Sequence, residues 1–134
     1  MDDSELEHVY RDYITTLNER RFADLNRFVH QEIAYNGELW TRERYQSLLT
    51  EDVRHVPDLH YSIALLVVGA SHVAARLWFE CSPRREFLGI DTRGQRISFA
   101  EHVFYRFHEG RIQEVWSVID TDGIRRQLSD STDD

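Results

Sequence analysis

Near Asp58 the repeat of apolar residues changes, and this change restricts the possible folds more than any other feature of the 134-residue chain. Before it, apolar positions recur three and four apart. After it, they recur every second residue. The first spacing is that of a helix buried along one stripe, and the second is that of a strand buried on one face. A chain with helices first and strands later predicts an α+β domain in which N-terminal helices cover one face of an antiparallel sheet.

Leu6, Val9, Tyr10, Tyr13, Ile14 and Leu17 predict an amphipathic helix of about four turns, with Asp3 or Ser4 as its cap. Phe22, Leu25, Phe28 and Val29 extend the helical spacing beyond a polar break. Thr41 opens a further helix carrying Tyr45, Leu48, Leu49 and Val53, closed near Pro57. Leu59, Tyr61, Ile63, Leu65 and Val67 then alternate, as do Val73, Ala75, Leu77 and Phe79 beyond Gly69-Ala70-Ser71, which predicts a long hairpin. A short strand is expected over Glu86–Ile90, a turn at Asp91–Gly94, and a second hairpin with Ile97–Phe107 and Arg111–Ile119 joined by Glu109-Gly110. A short helix over Asp122–Leu128 ends the fold. No repeat or linker divides the chain, so residues 1–134 read as a single domain, with 129–134 expected to be a disordered tail.

Composition removes several function classes. Seven of the 24 acidic residues lie at the two ends, leaving 17 against 16 bases in the body, and the bases are interleaved with acids. No basic stripe is available for nucleic acid. No apolar run reaches the roughly 18 to 20 residues that span a bilayer, and the acidic start does not resemble a signal peptide, so a cytoplasmic protein is expected. Cys81 is the one cysteine, and the seven histidines form no compact ligand set, so neither a disulfide nor a metal site is expected. All 16 bases are arginine, which excludes Schiff-base chemistry by a lysine of this chain.

If Glu109-Gly110 is a two-residue turn, Val103 faces Trp116, Glu101 faces Val118 and Phe99 faces Asp120. One face then carries Phe99, Glu101, Val103, Tyr105, Glu114, Trp116, Val118 and Asp120. On it Glu101 and Asp120 are diagonal neighbours. Repulsion and partial burial would raise a carboxyl pKa there, as suits a general acid or base. The competing reading has Asp120 capping the last helix and Glu101 paired with Arg76 or Arg106. His102 lies on the opposite face unless the register slips by one residue, which would exchange it with Glu101. Trp116, Phe99, Tyr105 and Trp40 could hold an aromatic substrate. His30 and Asn36 flank Ile33–Tyr35 where a loop could roof a pocket.

Gly94–Phe99, Phe104–Ile112, Glu114-Val115-Trp116, Asp120 and Gln127-Leu128, in that order and spacing, resemble the C-terminal signature of SnoaL-like polyketide cyclases of the nuclear-transport-factor-2-like superfamily. The resemblance implies a cone-shaped curved sheet packed on N-terminal helices. It implies ring closure or a related isomerase or lyase step without metal or cofactor. Asp120 would be the acid–base group, assisted by Glu101 or by a histidine in the region of His102. The substrate would be a small, largely apolar or aromatic carbonyl or ester compound contacted by Trp116, Phe99, Val103, Tyr105, Val118, Tyr35, Asn36 and Trp40. The alternative is a ligand-binding or dimeric interaction domain on the same scaffold. The apolar positions Trp78, Phe104 and Val115, assigned to the outer sheet face, predict a homodimer through the sheet.

Overall fold

The computed structural model describes residues 1–131, beginning with the helix α1 (Asp3–Asn18). Its cap is Asp2, one residue before the expected positions, whose carboxylate accepts the Glu5 N–H at 2.8 Å. The expected stripe is the buried one: Leu6, Tyr10, Tyr13, Ile14 and Leu17 all face the core. A second helix, α2 (Arg42–His55), is capped as expected by Thr41, which accepts the Arg44 N–H at 3.1 Å.

Between the two helices the expectation of continued helix is corrected. Phe22–Arg27 is a short 3-10 helix, followed by the strands β1 (Val29–Tyr35) and β2 (Glu38–Thr41). Asn36 and Gly37 join them with φ of 47° and 85°, the left-handed pair that a tight hairpin turn requires. The predicted later hairpins are present as β3 (Ser62–Gly69) with β4 (His72–Cys81), and β7 (Ile97–His108) with β8 (Arg111–Ile119). The segment between them forms a small β5 (Glu86–Phe87) and β6 (Ile90–Asp91) pair.

Six strands form one sheet in the order β2-β1-β8-β7-β4-β3. All joints are antiparallel except β1 with β8, which is parallel, so the sheet is mixed at that joint. Its inner face packs against α1 and α2 around a core that includes Tyr10, Tyr13, Leu77, Val103 and Tyr105. The last helix, α3 (Thr121–Ser131), anchors through buried Ile124 and Leu128. Its Gln127 Oε1 accepts the Ser98 N–H at the start of β7 at 2.9 Å. The helix extends to Ser131, inside the segment expected to be a tail, and 132–134 lie outside the described residues.

Two β-bulges decide which side chains enter the core. In the last hairpin the predicted turn is present, with His108 opposite Arg111 and Phe107 opposite Ile112, but the next pair is Arg106 with Glu114. Gln113 is the extra residue. Beyond it Glu101 faces Ile119, Val103 faces Ser117 and Phe104 faces Trp116. Because side chains alternate, the shift reverses the β8 face. Ala64 does the same in β3: Ile63 faces Leu77 but Leu65 faces Arg76. Leu65 and Val67, expected on the buried stripe, are instead exposed, and Leu66 and Val68 pack inward.

Candidate functional site

Between the inner sheet face and the helices lies a cavity of about 140 Å³. One water needs roughly 10 to 15 Å³ of such space, so a small organic molecule fits. β7 contributes Phe99, Glu101, Val103 and Tyr105, and β8 contributes Val115, Ser117 and Ile119. Tyr13 comes from α1, Tyr45, Leu49 and Asp52 from α2, and Tyr61 from the segment before β3. Phe87 and Leu88, at the β5–β6 turn, complete the rim.

The polar groups on this apolar wall are few and converge. Glu101 projects inward because alternation along β7 places it with Val103 and Tyr105. Its Oε2 accepts the Ser117 hydroxyl at 2.5 Å. Burial raises the Glu101 pKa above the usual carboxylate value, and the Ser117 hydrogen bond opposes that rise. Asp52 lines the cavity from α2. Burial pushes its pKa up to about 7, with the charges of Glu101 and Glu51 adding to the rise. The cavity therefore holds two carboxyl groups, and the charge of Glu101 hinders ionisation of Asp52. Around them the hydroxyls of Tyr13 and Tyr45 lie 2.7 Å apart. Burial raises the pKa of both phenols well above the usual tyrosine value, keeping them as neutral donors.

Ser117 is held in place by Asn36. The Asn36 Oδ1 accepts the Ser117 N–H at 2.8 Å, and its Nδ2 donates to the Ser117 carbonyl at 3.4 Å. The Asn36 main-chain N–H also donates to the Val115 carbonyl at 2.8 Å. Asn36 thus prolongs the β1–β8 ladder with a side chain.

Of the predicted site residues, Glu101, Phe99, Val103, Tyr105 and Tyr35 meet in the cavity. The predicted face of β8 is corrected by the bulge at Gln113. Trp116 and Val118 turn to the outer face with His102 and Phe104, and Val115, Ser117 and Ile119 take their places inside. Asp120 is exposed, and its Oδ1 accepts the Gly123 N–H at 3.0 Å at the start of α3. This is the capping geometry weighed against a catalytic one. His102 shares an outer groove with Asp120 and lies with its Nε2 2.7 Å from Arg76 Nη1. The structure thus separates Glu101 from Asp120, which had been expected as neighbours on one face. Trp40 stacks on Tyr35 at 4.4 Å between ring centres and has the Arg44 Cζ 3.9 Å from its ring centre, outside the cavity lining. His30 Nε2 lies 2.7 Å from the His108 carbonyl oxygen.

The sequence reading missed Asp52 and Ser117. Asp52 had a signal, because Tyr45, Leu48, Leu49 and Asp52 are spaced i, i+3, i+4 and i+7, which places a carboxylate on the apolar stripe of α2. Ser117 is hidden by the bulge. Among the described residues no group of histidine, cysteine, aspartate and glutamate side chains is arranged to hold a metal ion. No helix among them is long and apolar enough to cross a membrane.

Comparison with known proteins agrees with this architecture. The sequence model of SnoaL-like polyketide cyclases matches residues 7–128. A crystal structure of a SnoaL-like polyketide cyclase from Agrobacterium tumefaciens is 38% identical and superposes with a TM-score of 0.90, over 96% of this chain and 99% of that one. TsrD from Streptomyces laurentii, at 23% identity, shares the fold with a TM-score of 0.83, over 96% of this chain and 97% of its own. No curated protein matches the chain.

Proposed function

The chain belongs to the SnoaL-like polyketide cyclase family, and from that membership we propose that its cavity performs cofactor-free acid–base chemistry on a small, largely apolar carbonyl or ester compound. The observation that carries the reading is the pair Glu101 and Asp52 on the wall of one apolar cavity, both with raised pKa. Groups that titrate near neutral pH exchange protons with carbon acids most effectively at that pH.

In this reading Glu101 is the base. The Ser117 hydroxyl stabilises its carboxylate, which removes a proton from the carbon next to a carbonyl. Asp52, protonated, donates to the oxygen where negative charge develops, and tyrosine hydroxyls offer further donors. In a ring closure the enolate carbon would then attack a second carbonyl, whose oxygen takes up a proton. A chain without lysine is suited to this enolate route. The role expected of Asp120 passes to Glu101 with Asp52, because Asp120 lies on the other side of the sheet.

The test is deuterium uptake from solvent at the α-carbon of small aryl ketones, followed by NMR. Glu101→Gln is expected to slow uptake by roughly 10²-fold or more, Asp52→Asn to slow it too, and Asp120→Asn to leave it unchanged. Full activity in Glu101→Gln with loss in Asp120→Asn would return the chemistry to the outer groove. Ketone binding without exchange would favour a binding domain.

We also propose a homodimer through the outer sheet face. Support comes from the large apolar side chains left exposed there, with Leu65, Val67, Phe104 and Val118 each more than half exposed.

A further inference from the structure

The cavity wall has carboxylates and aromatic rings but no cation. Sixteen arginines are spread through the chain, and among the described residues neither arginine nor histidine lines this space. Arg20, whose charge reaches Tyr61, is committed to the main-chain carbonyls of Leu17, Pro57 and Leu59. Glu101 has one hydroxyl partner, Ser117. Among the described residues the influences on the Asp52 carboxylate are burial and the like charges of Glu101 and Glu51, with no hydrogen bond or opposite charge beside them. The rings of Tyr35, Tyr45, Tyr61 and Phe99 line the same cavity as these two acids. An aromatic ring is negative on its face and attracts a cation there, more strongly when water is excluded. Partly buried carboxylates without a counter-ion are costly, and a bound cation would offset that cost.

We propose that the cavity binds a ligand bearing a protonated amine, with the ammonium group between Asp52 and Glu101 and its hydrocarbon part against the tyrosine and phenylalanine rings. The inference uses the same cavity as the proposed reaction but does not need turnover, since an amine can bind whether or not proton transfer to carbon occurs. The raised carboxyl pKa values agree with acids waiting for such a partner. An ammonium would lower them again, so amine binding near neutral pH should release protons.

Benzylamine, benzyl alcohol and benzoate have similar shape and differ in charge, so they form the probe set. They are titrated into the full-length protein at millimolar concentration and followed by amide NMR shifts. Calorimetry in buffers of different ionisation enthalpy then counts protons. Benzylamine is expected to bind at least about tenfold more tightly than benzyl alcohol, benzoate least, with proton release on benzylamine binding. The double variant Asp52→Asn with Glu101→Gln, shown to be folded by its amide spectrum, should lose the preference and retain benzyl alcohol. If it unfolds, the single Asp52→Asn variant is read in the same way. Equal or weaker binding of benzylamine, a preference that survives in the variants, or no benzylamine-dependent shifts at all would overturn the proposal. Ketone exchange is measured separately, so loss of exchange with amine preference intact would overturn only the catalytic reading.

Discussion

At Glu101 two influences oppose each other, since burial favours the neutral acid and the Ser117 hydroxyl at 2.5 Å favours the carboxylate. Replacing Ser117 by Ala removes only the second, so the Glu101 pKa should rise further. A carboxyl-carbon NMR titration of the two proteins measures this, and an unchanged midpoint would show that the short contact does not tune the acid. Asp52 was legible in part: a carboxylate at the i+7 position of an apolar stripe is an exception that asks for a reason. What could not be read was its partner, because Glu101 is 49 positions along the chain and only the packing of α2 on the sheet brings the two to one cavity. Asp120 shows the reverse, for its identity invites an acid–base role while its main-chain setting, one residue before α3, makes it a cap.

Periodicity made the elements legible, and single inserted residues made their faces illegible. The turn at Glu109-Gly110 and the alternation of Ile97–His108 follow directly from sequence, and both are present. Gln113 then inserts into β8 and exchanges Trp116 for Ser117 at the cavity wall, with no composition signal to announce it. Ala64 repeats the effect in β3. The β1–β2 hairpin, by contrast, has a signal in its Asn36-Gly37 pair, a strong turn dipeptide that the sequence reading did not use. That turn also fixes Asn36 on Ser117, so its conformation bears on the site. Gly37→Ala is expected to cost about 1 kcal/mol, because its φ of 85° strains any side chain although nothing lies within 4 Å of the new Cβ. Gly69→Ala, equally uncrowded and without a positive φ, serves as the control and should change stability by less than about 0.5 kcal/mol. Urea midpoints distinguish them, and equal costs would show that the turn's backbone is not the source.

For the whole molecule, the outer face and the cavity make separate predictions. Phe104 is about half exposed opposite Trp116 on the outer face, so Phe104→Asp should convert the proposed dimer to monomer in light scattering while leaving ketone exchange intact. A wild-type protein that is already monomeric at micromolar concentration would remove that proposal. Stability against pH tests the cavity without any ligand. The native pKa of Asp52 is about 7, against 3.8 ordinarily, and that of Glu101 is raised in the same direction. Between about pH 4 and pH 7 the native protein therefore holds protons that the unfolded chain has released. Stability must fall as pH rises through this window, and the loss is complete above the native pKa. Below pH 4 both states are protonated and the two carboxyls contribute nothing. Asp52→Asn keeps the shape and cannot ionise, so it should match the wild type near pH 4 and exceed it near pH 8 by roughly 1 to 3 kcal/mol, allowing for screening at a partly exposed group. Urea unfolding of both proteins across this range measures the difference. A gap that does not grow with pH would mean that Asp52 ionises freely in the folded protein, and the acid pair at the centre of the proposed chemistry would lose one member.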